Sequence, residues 1–174
     1  MSRVFGPIMQ NGYVVRDLDK AMKHWTDTMG VGPFFVTAKI PFAECLYRGA
    51  PCDIDLAVAI SFSGDLQIEL VEQKNNVPSI YRDHLQRFGE GLHHAGVLSD
   101  DYAADVARLT SQGFSAVQHG SVTSGMRFAY FDSDRGFPGA MVELIEGSPG
   151  MRRFLDRVKT QAREWDGREP VRML

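Results

Sequence analysis

One feature constrains this chain more than any other: it repeats itself. Gln10 lies seven residues before Asp17, and His94 lies seven before Asp101. Each Asp is a good helix N-cap, because its carboxylate can accept from the exposed amides of a first turn. After Asp17, the residues Leu18, Ala21, Met22 and Trp25 recur at the spacing of a helix packed on one face, and Gly30 ends the pattern. After Asp101, Val106 and Leu109 fall on the apolar side and Gly113 closes it. Extended stretches follow each helix, at 34–42, 54–62 and 66–71 in the first half and at 115–118, 126–132 and 140–145 in the second. The halves also end alike, in Gln67-Ile68-Glu69-Leu70-Val71-Glu72 and Met141-Val142-Glu143-Leu144-Ile145-Glu146. With opening strands at 8–15 and 92–98, the chain reads as a duplicated β-α-β-β-β unit, since a repeat outranks local propensity. The expected boundaries are 7–73 and 92–147 for the two modules. A linker with a short helix after Pro78 covers 74–91, and a helical tail covers 148–174.

Composition narrows the function classes. Apolar residues make up 44% and charged residues 24%, which excludes wholesale disorder. A net charge of -3 argues against phosphate-driven nucleic-acid binding, which needs a basic surplus or stripe. No apolar run approaches the roughly 20 residues that span a bilayer, and the first residues lack a signal-peptide core. Cys45 and Cys52 are too few for a disulfide framework. A reduced, cytoplasmic protein is the expectation.

Strand period gives the repeated glutamates meaning. Glu143 shares a face with Met141 and Ile145, whereas Glu146 turns to the other side with Val142 and Leu144. A carboxylate between large apolar neighbours is costly to bury unless a cation or hydrogen bonds compensate. Glu69 repeats the arrangement in the first half, between Gln67 and Val71. Gln10 and His94 hold equivalent places on the opening strands. Four oxygen and nitrogen donors at matching positions of two modules make a candidate divalent-metal site. Without sulfur, the set admits Zn, Ni, Co, Mn or Mg. By alternation, His93 points away from His94 and serves packing or the surface, not as a second ligand. Arg127 is a candidate to hold an anionic substrate tail, although a surface Arg is the default.

The stretches Gln10 to Ala21, Gly89-Glu90-Gly91-Leu92-His93-His94 and Met141-Val142-Glu143-Leu144 resemble the vicinal oxygen chelate superfamily. That superfamily includes glyoxalase I, methylmalonyl-CoA epimerase, extradiol dioxygenases and bleomycin-resistance proteins. The likeness covers about residues 7 to 147. It implies an α+β fold, in which two βαβββ modules form an open eight-stranded cup around a metal and a C-terminal helix follows. It also implies metal ligands at Gln10, Glu69, His94 and Glu143, from the first and fourth strands of each module. The segment leading into His93 and His94 is similar to methylmalonyl-CoA epimerases. Gln10 departs from their usual His and resembles the zinc-type glyoxalase I set instead. The implied activity is metal-dependent proton transfer next to a carbonyl, in an isomerase or epimerase. The alternatives are a glyoxalase I-like lyase and a non-catalytic small-molecule binder. Glu143 is the expected base, with Glu69 behind it and Glu44 a weaker candidate because the second strand of such cups often lines the site. The expected partner is a small acyl thioester or related carbonyl compound, with no nucleic acid and no membrane. A homodimer is expected, the tail helix covering sheet edges within or between chains.

Overall fold

The computed structural model describes residues 2–132 and 141–174. The repeat is visible first in its caps. Asp17 Oδ1 accepts from the Lys20 amide at 3.0 Å ahead of α1 (Leu18–Asp27), and Asp101 Oδ1 accepts from the Ala104 amide at 3.1 Å ahead of α3 (Tyr102–Ser111). Two further helices are α2 (Ile80–Arg87), capped by Ser79, and α4 (Pro149–Arg163), capped by Ser148.

Strands β1 (Ile8–Val14) and β7 (Gly91–Ser99) pair antiparallel at the centre of one curved, mixed sheet. Outward from β1 run β6 (Leu66–Gln73), β5 (Leu56–Ser63) and β2 (Phe34–Thr37). Outward from β7 run β10 (Met141–Glu146), β9 (Arg127–Phe131) and β8 (Ala116–Val122). These are the eight strands expected of the two halves, apart from Ala140 at the start of the last, which lies outside the described residues.

Three short strands were not expected and bring the described sheet to eleven. The stretch 34–42 is not one strand. Pro41 lacks an amide and disfavours continuation, so the chain breaks after Thr37 and re-enters the sheet as β3 (Phe42–Tyr47). This strand crosses to the other half and pairs with β8. Arg48 and Gly49, at φ 50° and 79°, turn it into β4 (Ala50–Pro51), the pair of positive φ values that a tight hairpin requires. The end of the chain is also ordered into the sheet, as β11 (Val171–Met173) alongside β2.

Both helices of the repeat pack on the outer face of the sheet. Leu18 and Met22 of α1 bury against Phe34, Ala59 and Leu70, while Leu109 of α3 buries against Phe131 and Leu144. Each such side chain contributes roughly 1.5–3 kcal/mol on burial. The inner face is covered from two ends. At one end α2 inserts Ile80 and Tyr81 against Val71, Phe128 and Tyr130. At the other, Leu155 and Val158 of α4 pack on Phe35, Ile60 and Phe62, so the tail helix covers its own sheet. Among the described residues, no helix is long and apolar enough to cross a membrane. Between the two plugs lies the candidate site.

Candidate metal centre

Gln10, Glu69, His94 and Glu143 come from four adjacent strands, in the order β6, β1, β7, β10. In the β1–β7 ladder, Gln10 faces Gly96 and Gly12 faces His94. Both glycines are needed for space. A Cβ on Gly12 would lie 1.9 Å from the His94 ring, and one on Gly96 would lie 1.9 Å from Gln10 Oε1. Each glycine also neighbours a carboxylate, since Gly12 pairs with Glu69 and Gly96 with Glu143.

A bulge precedes each opening residue. Met9 is an extra residue on β1 and His93 is an extra residue on β7. Bulges re-aim the side chains that follow them. They also overturn the expectation that His93 points away from His94. The two rings lie on the same side, with Nδ1 to Nδ1 at 2.9 Å, and His93 packs against Tyr81 and Tyr130. A single residue inserted on one strand cancels the two-residue alternation, and periodicity alone does not reveal it.

The centre is buried. His94 is fully inaccessible, Gln10 is 2% exposed and Glu143 is 7% exposed. His94 Nε2 stands 3.0 Å from Glu69 Oε2 and 3.3 Å from Glu143 Oε2. These contacts are electrostatic and not directional. Glu69 Oε2, His94 Nε2 and Glu143 Oε2, together with Gln10 Oε1, are all buried without a hydrogen-bond partner. Burial alone would lower the His94 pKa, but the Glu143 and Glu69 carboxylates outweigh it and raise it to about 9. Burial lifts the Glu69 carboxyl above its usual range, His94 opposing and Glu143 adding to the shift. His93 is held well below the usual range, first by burial and then by the neighbouring His94 and His84, so it stays neutral and able to accept. Tyr81 donates to Tyr130 at 3.0 Å, and both phenols are raised well above their usual value by burial and by the charge of Glu143.

Four buried polar atoms without a hydrogen bond, three of them facing only one another as charges, are expensive, and a divalent cation is an economical remedy. Glu69, His94 and Glu143 form the one cluster of His, Cys, Asp or Glu among the described residues whose donor atoms all lie within 4.8 Å of one another. Ligands about 2.0–2.6 Å from a shared ion sit roughly 3–5 Å apart, so the spacing fits. Gln10 borders the same cavity with its free amide oxygen. For His94 Nε2 to offer a lone pair, its proton must sit on Nδ1, where His93 Nδ1 can accept it. His93 is thus a supporting residue that sequence reasoning assigned to packing or the surface.

The remaining expectations fare differently. A bulge between Phe42 and Glu44 turns Cys45 inward to the core and leaves Glu44 exposed, so Glu44 does not reach the centre. The Arg127 guanidinium is bound by Glu146 through two contacts, at 2.6 and 3.0 Å, and Arg127 does not border the cavity.

A family model of the Glyoxalase/Bleomycin resistance protein/Dioxygenase superfamily matches residues 9–130. The chain belongs to this superfamily. No curated protein matches the sequence. Among solved structures, the methylmalonyl-CoA epimerase of Mycobacterium tuberculosis is 22% identical, with a TM-score of 0.58 over 88% of this chain and 95% of that one. A variant of the Streptomyces coelicolor methylmalonyl-CoA epimerase, in complex with 2-nitronate-propionyl-CoA, is 20% identical, with a TM-score of 0.56 over 82% and 95%. A hypothetical protein from Bacillus halodurans C-125 is 16% identical, with a TM-score of 0.55 over 82% and 94%. At these identities the likeness establishes the superfamily fold.

Proposed function

We propose that the protein is a metal-dependent isomerase that moves a proton next to a carbonyl, in the manner of an acyl-thioester epimerase. The observation that carries this reading is the convergence of Gln10 Oε1, Glu69 Oε2, His94 Nε2 and Glu143 Oε2, all buried and all without a hydrogen-bond partner, on one side of the sheet. Those four residues would hold the ion. A bound divalent cation would polarise a carbonyl oxygen and stabilise, by several kcal/mol, the negative charge that develops as the neighbouring carbon loses its proton. His94, kept in one tautomer by His93, orients the floor of the centre. Glu143 borders the cavity and is the base that takes the proton. Glu69 approaches from the other half of the molecule and borders the same space. Two carboxylates from two related strands can serve two faces of one carbon, which epimerisation requires. The apolar walls keep bulk water away from the carbanion, so it is quenched by the facing carboxyl group, and the carboxyl protons exchange with solvent between turnovers.

Solvent exchange tests the reading. Metal-loaded protein in deuterium oxide should place deuterium at the α-carbon of at least one member of a panel of CoA thioesters, simple thioesters and hemithioacetals. Glu143→Gln should slow that exchange by about a hundredfold to ten-thousandfold. No α-exchange in any member would leave a small-molecule binder as the better reading. Exchange that survives Glu143→Gln would move the base to Glu69.

A further inference from the structure

The cavity that opens over the centre, about 350 Å³ in volume, identifies the chemistry of its occupant. We propose that the compound handled here is neutral and largely apolar, with no carboxylate or phosphate near its reacting carbon. This rests on the metal-assisted reading for the reaction and narrows it for the substrate. The walls are Phe35, Ile60 and Ile145 from the sheet, Met151 and Phe154 from α4, and Leu174 beside β11. Among the described residues that border the cavity there is no Lys or Arg, and the only charged side chains are those of Glu69 and Glu143.

Charge complementarity then decides the class. With a divalent ion in place, two carboxylates already balance its charge, and no surplus remains for an anionic substrate group. Without the ion, no Lys or Arg among the described residues that border the cavity supplies a positive charge. Either way a carboxylate near the reacting carbon meets like charge in a low-dielectric space, and a neutral carbonyl does not. Among the described residues, Arg127 is held by Glu146, and Arg172, which does not border the cavity, donates through Nη1 to Gln161 with its guanidinium 5.7 Å over the Phe35 ring and its Nε buried without a partner. The other polar groups on the walls, Thr37, Gln67 and Ser124, are neutral. Gln67 Oε1 is buried without a partner, an acceptor for a substrate hydroxyl. The volume is at the small end of ligand cavities, enough for a carbonyl with short apolar substituents.

A matched pair tests this: S-ethyl 2-methylbutanethioate, and the same thioester with its ethyl branch on the α-carbon replaced by carboxylate. Binding of each is measured calorimetrically near neutral pH, with chelator and with Zn²⁺, and α-proton exchange is followed alongside. The neutral member should bind at least tenfold more tightly under both conditions. Met151→Lys, at a half-buried helix position, should narrow or reverse that preference, and Arg172→Gln should leave it unchanged. Tighter binding of the anionic member, binding of neither, an unmoved preference in Met151→Lys, or loss of anion binding in Arg172→Gln would each overturn the inference. The two proposals fail separately. Neutral-selective binding without exchange removes the reaction and keeps the substrate class, whereas exchange confined to the anionic member removes the class and keeps the reaction.

Discussion

Gln10 and His94 occupy equivalent places in the two halves, each after a bulge and each facing a glycine on the other's strand. Yet one is a neutral amide and the other an imidazole set between two carboxylates. The residues inserted at the bulges differ in the same sense. Met9 packs toward the α4 end of the inner face, whereas His93 packs among Tyr81, His84 and Tyr130 at the α2 end. The closing glutamates diverge too, since Glu72 accepts from the first amide of α1 at 2.9 Å while Glu146 holds Arg127. Duplication places the groups, and departures from it decide the chemistry. The first half supplies a scaffold oxygen and a carboxylate. The second supplies the titratable core.

That contrast can be broken deliberately. The largest effect is expected from comparing the two carboxylates: Glu143→Gln should lower exchange by about a hundredfold to ten-thousandfold, and Glu69→Gln by less. Equal losses would mean that the halves contribute as equals. Next, His93→Met gives the second bulge the residue of the first. Loss of the His94 Nδ1 partner should weaken metal affinity by about 10–100-fold, read by competitive chelator titration. Gly12→Ala and Gly96→Ala probe the glycines across the ladder. The Gly12 substitution meets a rigid ring and should cost about 1–3 kcal/mol of stability, whereas the Gly96 one meets a flexible amide and should cost less. Denaturant unfolding of the pair measures the difference.

Titration sharpens the comparison further. In metal-free protein the His94 pKa of about 9 lies above the ordinary value near 6.5. The stability it contributes is therefore fully present below about pH 6.5 and is lost as pH rises through 9. Melting temperature in chelator should fall across that window. His94→Gln, which makes the halves alike, should flatten the profile. The smallest effect belongs to Glu44→Gln. Its exposed side chain lies away from the centre, so exchange should stay within twofold and stability within about 0.5 kcal/mol.

Much of this was legible in one dimension. The spacing of Gln10 and Asp17 against His94 and Asp101 revealed the repeat, and caps, helices and most strands followed from it. Alternation correctly put Glu143 on the inner face, with Val142 and Leu144 turned to α3. It failed at His93, and the expectation at Glu44, which rested on the resemblance, failed as well; a bulge lies at both places. A bulge is set by how two strands meet, and neither strand's own sequence displays the extra residue.

The sequence by itself determined what recurs locally: the order of elements, the helix starts and the four donor types at matching positions. Those depend on contacts between near neighbours, which leave a periodic trace. Only the tertiary structure decided that β3 crosses to pair with β8, that residues 171–173 join the sheet beside β2, and that α4 roofs the cavity with Met151 and Phe154. It also decided that four buried donor atoms without a hydrogen bond, from both halves, share one space. Such juxtapositions bring together residues many tens of positions apart. They are chosen by the burial of whole faces against each other, an energy no local window contains.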